Sequence, residues 1–267
     1  MTRWLTIFFL AMTALPVRAG GAPMATGAEQ EWHAVGRIDF ADRSFCTGSL
    51  ISARFVLTAA HCLFDLDTHR RHAPADITFK AGWSEGSAFA IRAARAVHVH
   101  PGFSMADPAR AGRLAMDLAL VELDRPVPDA TIPPLPVSSS GPQAGAALGV
   151  VSYAHDRSET PLLQESCDVV ARQGGVLITT CAADFGASGA PILDLSGPEP
   201  RIVSVVSAKA VFQGRKVSVG TAVGEALDAL MALAGAGGAP AGEAAPGRLP
   251  VLSDTRFMTE RAGHQTP

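Results

Sequence analysis

The chain lacks the marks of several function classes. Its four cysteines, at 46, 62, 167 and 181, include no C-x₂₋₄-C pair, so a structural zinc site is not expected. It has no basic run and a formal net charge of −3, so nothing in it draws a phosphate backbone and nucleic acid is not an expected partner. After the first nineteen residues no apolar stretch is long enough to cross a bilayer. No sequence feature implies a metal or an organic cofactor.

What is there begins with an export signal. Arg3, an apolar run over 4–15, and small residues at positions 17 and 19 have the three parts of a secretory leader over 1–19, with cleavage expected after Ala19. Removal of that leader takes away Arg3 and Arg18, leaves a more acidic chain, and leaves no membrane segment. The expected location is the periplasm or the exterior, where disulfides persist. The cysteines fall into two sequence-local pairs, Cys46 with Cys62 and Cys167 with Cys181. Each bridge would close a loop worth roughly 3 kcal/mol by chain entropy.

From residue 32 onward short β-rich runs alternate with Gly, Pro, Asp and Ser. Six are expected in the first half, at 35–40, 47–51, 55–58, 77–81, 91–99 and 118–123. The proline-rich stretch 125–136 cannot sit inside a ladder and reads as a connector laid over the surface. Six more runs follow at 146–153, 163–171, 176–180, 190–193, 202–208 and 216–223. The expected fold class is all-β: two six-stranded antiparallel barrels, one over 20–130 and one over 131–233, each closed to remove its edges. Apolar residues at 227, 230, 231 and 233 have helical spacing, and this C-terminal helix is expected to cap the second barrel. Residues 234–267, rich in Ala, Gly and Pro, are expected to be a disordered tail.

Three local contexts suit acyl chemistry, in which a serine hydroxyl needs a base to take its proton and an acid to orient that base. The base candidate is His61, which ends an apolar strand and adjoins Cys62. The acid candidate is Asp117 at the head of the strand Leu118-Ala-Leu-Val-Glu-Leu123, with Asp107 and Asp124 as rivals. The nucleophile candidate is Ser188 in Gly186-Ala-Ser-Gly-Ala-Pro191. Glycine at 186 lets the N–H groups of Gly186 and Ser188 converge as an oxyanion hole. His33, His69, His72, His98, His100, His155 and His264 have no such context.

The motifs Leu57-Thr-Ala-Ala-His-Cys62, Asp117-Leu-Ala-Leu120 and Gly186-Ala-Ser-Gly-Ala-Pro191 resemble those of the trypsin-like (chymotrypsin-fold) serine proteases, of the bacterial secreted type, over residues 32–233. The order His, Asp, Ser is that family's order. The resemblance implies a catalytic cleft between two barrels and hydrolysis of peptide bonds, with a protein or peptide as substrate and a monomer as the working form. Animal members carry an aspartate directly before the serine, which pairs with a new N-terminus after zymogen cleavage. Here that residue is Ala187, so no such pair is expected, and the Cys167–Cys181 bridge is the simplest substitute for holding the oxyanion loop. The position where trypsins place a pocket aspartate is Ala182, which does not support a preference for Arg or Lys. Ser207, or Ser204, is expected to hydrogen-bond Asp117, and 202–208 to line the substrate groove. Two other functions share these features: a catalytically silent binding module on the same fold, and an esterase using the same triad.

Overall fold

Alternation of buried and half-buried side chains curls the first half of the chain into a closed barrel. The computed structural model describes residues 32–41, 44–107, 110–143 and 145–235. The expected leader over 1–19 lies outside the described residues, as does the expected tail over 234–267 apart from residues 234 and 235. Six antiparallel strands, β1 (Val35–Phe40), β2 (Ser44–Leu50), β3 (Phe55–Thr58), β4 (Ile77–Ala81), β5 (Ala90–Val99) and β6 (Ala119–Leu123), pair in the order β1-β2-β3-β6-β5-β4, and β4 returns to β1. On β4, Ile77, Phe79 and Ala81 point inward while Thr78 and Lys80 do not, the period of two that builds a one-sided core. A short helix, α1 (Arg110–Ala115), precedes β6.

The second half departs from the expected six-stranded barrel. Strands β7 (Leu148–Ala154), β8 (Arg157–Cys167), β9 (Val169–Gln173), β10 (Val176–Thr179), β11 (Pro191–Asp194), β12 (Arg201–Phe212) and β13 (Arg215–Ala222) form one seven-stranded sheet in the order β8-β7-β11-β12-β13-β10-β9. Among the described residues no pairing joins β8 to β9. The reason lies at the strand expected over 163–171. Asp168 interrupts the extended run, so the part up to Cys167 pairs with β7, through a bulge at which Ser166 adopts φ +64°, and the part after Asp168 pairs with β10. The two edge strands are therefore consecutive in the chain.

Helix α2 (Gly224–Gly235) runs slightly beyond the expected 225–233 and packs elsewhere than expected. It lies on β5 of the first barrel, and its buried Leu230 joins that barrel's core. The connector 125–136 contains no strand but is more than a surface strap: Val127, Ile132 and Leu135 are buried. Its backbone is tied to both halves, with Val127 N donating to Ala53 O at 2.8 Å, Leu135 N to Leu50 O at 2.9 Å and Ile202 N to Pro136 O at 2.9 Å. Val151, Leu193, Ile202 and Val205 of the second sheet belong to the same apolar core as the first barrel.

Candidate active site

Strand β3 ends at Thr58, and the chain turns through a 3-10 segment, Ala60–Leu63, that carries His61. Two anchors fix this turn. Cys62 is disulfide-bonded to Cys46 on β2, and the His61 backbone N–H donates to Asp117 Oδ1 at 2.8 Å. The other carboxylate oxygen of Asp117 lies 2.7 Å from His61 Nδ1, so one side chain orients both the main chain and the ring of the histidine. Opposite an acceptor-only carboxylate, neutral His61 carries its proton on Nδ1, which leaves Nε2 basic.

Asp117 is only 3 % exposed, a position where an ionised carboxylate needs several donors. Besides the two from His61, the Ser207 hydroxyl donates to Oδ2. Burial pushes the Asp117 pKa up, but His61 and Ser207 outweigh it and hold the group below its ordinary value. Burial pushes His61 down, and there the attraction of Asp117 wins and raises it. Ser204 points elsewhere, donating to Thr221 O at 2.8 Å, and Asp124 is an exposed acceptor for Arg125 N–H. Thr221 on β13 reaches across to Leu114 O at 2.6 Å and so ties the approach to Asp117 to the second sheet.

Ser188 stands on the segment between β10 and β11. Gly186 and Gly189 have φ of +93° and +82°, values that side chains resist. Both also touch the first barrel closely. A Cβ on Gly189 would collide with Thr58 Oγ1 and Thr47 O, and one on Gly186 with the Phe45 ring. Thr47 N–H donates to Ser188 O at 2.8 Å. The serine turn is thus seated on β2 beside Cys46 and on the end of β3 that leads into His61. Among the described residues no hydrogen bond joins His61 Nε2 to Ser188 Oγ, and the N–H groups of Gly186 and Ser188 have no acceptor.

The sequence matches the trypsin family over residues 20–230. The chain belongs to that family. Among solved structures, a Glu endopeptidase determined in complex with MPD superposes with a TM-score of 0.67 at 18 % identity, over 82 % of this chain and 99 % of that one. At that identity the likeness establishes the fold alone, a chymotrypsin-like architecture, while the family makes this chain a serine protease.

Both disulfides of this trypsin-family chain pair as the sequence suggests, Cys46 with Cys62 and Cys167 with Cys181. The second bridge, however, ties the end of β8 only to the start of the loop. Residues 185–189 are held instead by bonds to β2, to β12 and to His155 just after β7. Ala182 is exposed, and its N–H donates to Gln164 Oε1 at 2.6 Å. The sequence reading missed Lys209 on β12, whose Nζ lies 3.9 Å from the Phe185 ring centroid and 3.5 Å from Asp184 Oδ1, at the edge of the serine turn. It also missed Thr47. A hydroxyl directly after Cys46, on a strand leading toward the His61 turn, is the one available signal, and Ser44 and Ser49 on the same strand dilute it.

Proposed function

We propose that this protein is a secreted or periplasmic serine endopeptidase that works through an acyl-enzyme, with Ser188 as nucleophile, His61 as base and Asp117 as the acid that orients it. The observation that carries this reading is the file Ser207–Asp117–His61, hydrogen-bonded at the foot of the barrel on which the Ser188 turn is seated. Ser188 Oγ attacks the carbonyl carbon of the scissile peptide as its proton passes to His61 Nε2. The tetrahedral intermediate places its negative oxygen at the free N–H groups of Gly186 and Ser188. When the C–N bond breaks, His61 returns the proton to the leaving amine. Water then attacks the acyl ester, giving one proton to His61, which restores the Ser188 hydroxyl as the carboxylic product departs. Asp117 stays ionised throughout and stabilises the imidazolium that forms twice per cycle.

A fluorophosphonate probe tests the assignment directly. The wild-type protein should be labelled once and should digest casein, and Ser188→Ala should do neither while keeping its circular dichroism spectrum. Labelling of Ser188→Ala at the wild-type rate would place the nucleophile elsewhere. A labelled protein that cleaves esters but leaves casein intact would restrict the activity to acyl esters. A cleavage profile on a peptide library would define the side-chain preference that Ala182 leaves open.

A further inference from the structure

We propose that the Thr47 hydroxyl is the positioning group of the oxyanion site: it holds the Gly186 carbonyl and thereby fixes the turn whose two free N–H groups face the reacting oxygen. This inference rests on Ser188 being the nucleophile.

The argument follows the peptide units one at a time. In a trans peptide the C=O and N–H point in opposite directions, so a pinned carbonyl also aims the N–H of the next residue. Phe185 O accepts from His155 N at 2.7 Å, which turns the Gly186 N–H away from His155. Gly186 O accepts from Thr47 Oγ1 at 2.9 Å, and the Ala187 N–H accordingly faces back to Asp184 O at 2.9 Å. Ala187 O accepts from Ala190 N at 3.0 Å, which aims the Ser188 N–H the other way. Ser188 O accepts from Thr47 N at 2.8 Å, and the Gly189 N–H goes to Val206 O at 2.8 Å. Four consecutive carbonyls are therefore occupied, and the N–H groups left over are those of Gly186 and Ser188.

Three of those four carbonyl anchors come from backbone. Thr47 Oγ1 is the single side-chain anchor, and Thr47 is fully buried. The direction of its proton is settled by its neighbours. Oγ1 accepts from Tyr153 N at 3.1 Å, so its own hydrogen goes to Gly186 O. The Thr47 main chain is held in turn by Thr58 Oγ1, which donates to Thr47 O at 2.9 Å. No charge inside the turn does this work, because Ala187 is fully buried and Asp184 is exposed at the edge beside Lys209. Gly186 has no side chain to resist rotation, so once its carbonyl is released the Gly186–Ala187 peptide, which lies between the two donor N–H groups, keeps only the single bond from Ala187 N–H to Asp184 O.

The test compares Thr47→Val, which removes the hydroxyl at nearly constant volume, with Thr47→Ser, which keeps it. On a fluorogenic peptide, Thr47→Val should lose about ten- to a hundred-fold in kcat while KM changes by less than about threefold, because removing an oxyanion donor outright costs roughly 10²–10³ and here the donors are only loosened. Affinity for a peptide aldehyde, whose hemiacetal oxygen occupies the same site, should fall in parallel, and Thr47→Ser should recover most of both. If Thr47→Val does not fold, Thr47→Ala set against Thr47→Ser gives the same comparison. A folded hydroxyl-less variant with wild-type kcat, or one changed in KM alone, overturns the proposal, as does equal loss in Thr47→Ser. Wild-type protein that the fluorophosphonate fails to label defeats the nucleophile assignment and this inference with it, whereas labelled wild type with an unaffected Thr47→Val defeats the inference alone.

Discussion

At Asp117 and His61 two opposing effects act on each group, and the outcome sets how activity and stability depend on pH. Burial disfavours both charges, yet mutual attraction leaves Asp117 below its ordinary 3.8 and His61 above its ordinary 6.5. In the proposed mechanism His61 must be neutral to accept a proton, so kcat/KM should rise through an acid limb lying above the ordinary histidine value. In Asp117→Asn burial remains and the attraction is gone. The limb should then move to lower pH, while the rate falls by about four orders of magnitude because nothing fixes the imidazole tautomer. A pH–rate profile of the variant with an unmoved limb would contradict this. The stability contribution has a different window. The histidine part is complete below 6.5 and is lost as pH rises through the raised folded value. The aspartate part is complete above 3.8 and is lost as pH falls through the depressed one. The pair thus contributes most to stability between those ordinary values, on the acid side of the activity limb, and urea midpoints of wild type and Asp117→Asn should differ most there.

At the scale of elements, the two disulfides should differ in what they do. Each closes a loop of similar size, 16 and 14 residues in sequence separation, so each double Cys→Ser variant should lose about 3 kcal/mol in urea unfolding. Only the Cys46–Cys62 bridge adjoins His61 and the strand under the serine turn. Its loss should therefore lower kcat as well, while loss of Cys167–Cys181 should leave kcat within about threefold of wild type. Equal kinetic effects would mean that the second bridge orders the turn after all. The same scale separates what the sequence makes legible from what it hides. Strands such as β4 announce themselves because burial alternates residue by residue, and the His61 and Asp117 contexts do so because a rare residue interrupts an apolar run. The break between β8 and β9 is silent because it is the single residue Asp168 in an otherwise continuous β-rich run, and because Ser166, not a glycine, takes the positive φ at the bulge before it. Helix α1, with six residues, is too short to show a period. Helix α2 shows its period plainly, but periodicity identifies an apolar face and not the surface it meets, so its seat on β5 could not be read. Thr47 is hidden for a related reason: the partners of its hydroxyl, Gly186 and Tyr153, lie more than a hundred residues away in the chain.

Over the whole molecule the two halves are joined at more than the site. Arg37 on β1 reaches Glu159 on β8 at 3.0 Å and Ser158 O at 3.1 Å, and Tyr153 OH donates to Trp83 O at 2.8 Å. These contacts, together with the shared apolar core, hold β2 and β7 in fixed relation. That relation is what the serine turn needs, because its anchors are Thr47 on β2, His155 just after β7 and Val206 on β12. None of them is a chain terminus, and the buried residue before Ser188 is an uncharged alanine. A turn ordered from within the folded body should be indifferent to what precedes residue 32. Variants that start at residue 20 and carry a tag or a few extra residues before it should therefore show kcat/KM within about twofold of the untagged protein, a difference under about 0.5 kcal/mol in transition-state stabilisation. Fluorophosphonate labelling rates should match as well. If activity instead appears only after a cut that creates one defined N-terminal residue, a new ammonium group must reach the turn, and the anchoring attributed to Thr47 and His155 would be insufficient to form the oxyanion site.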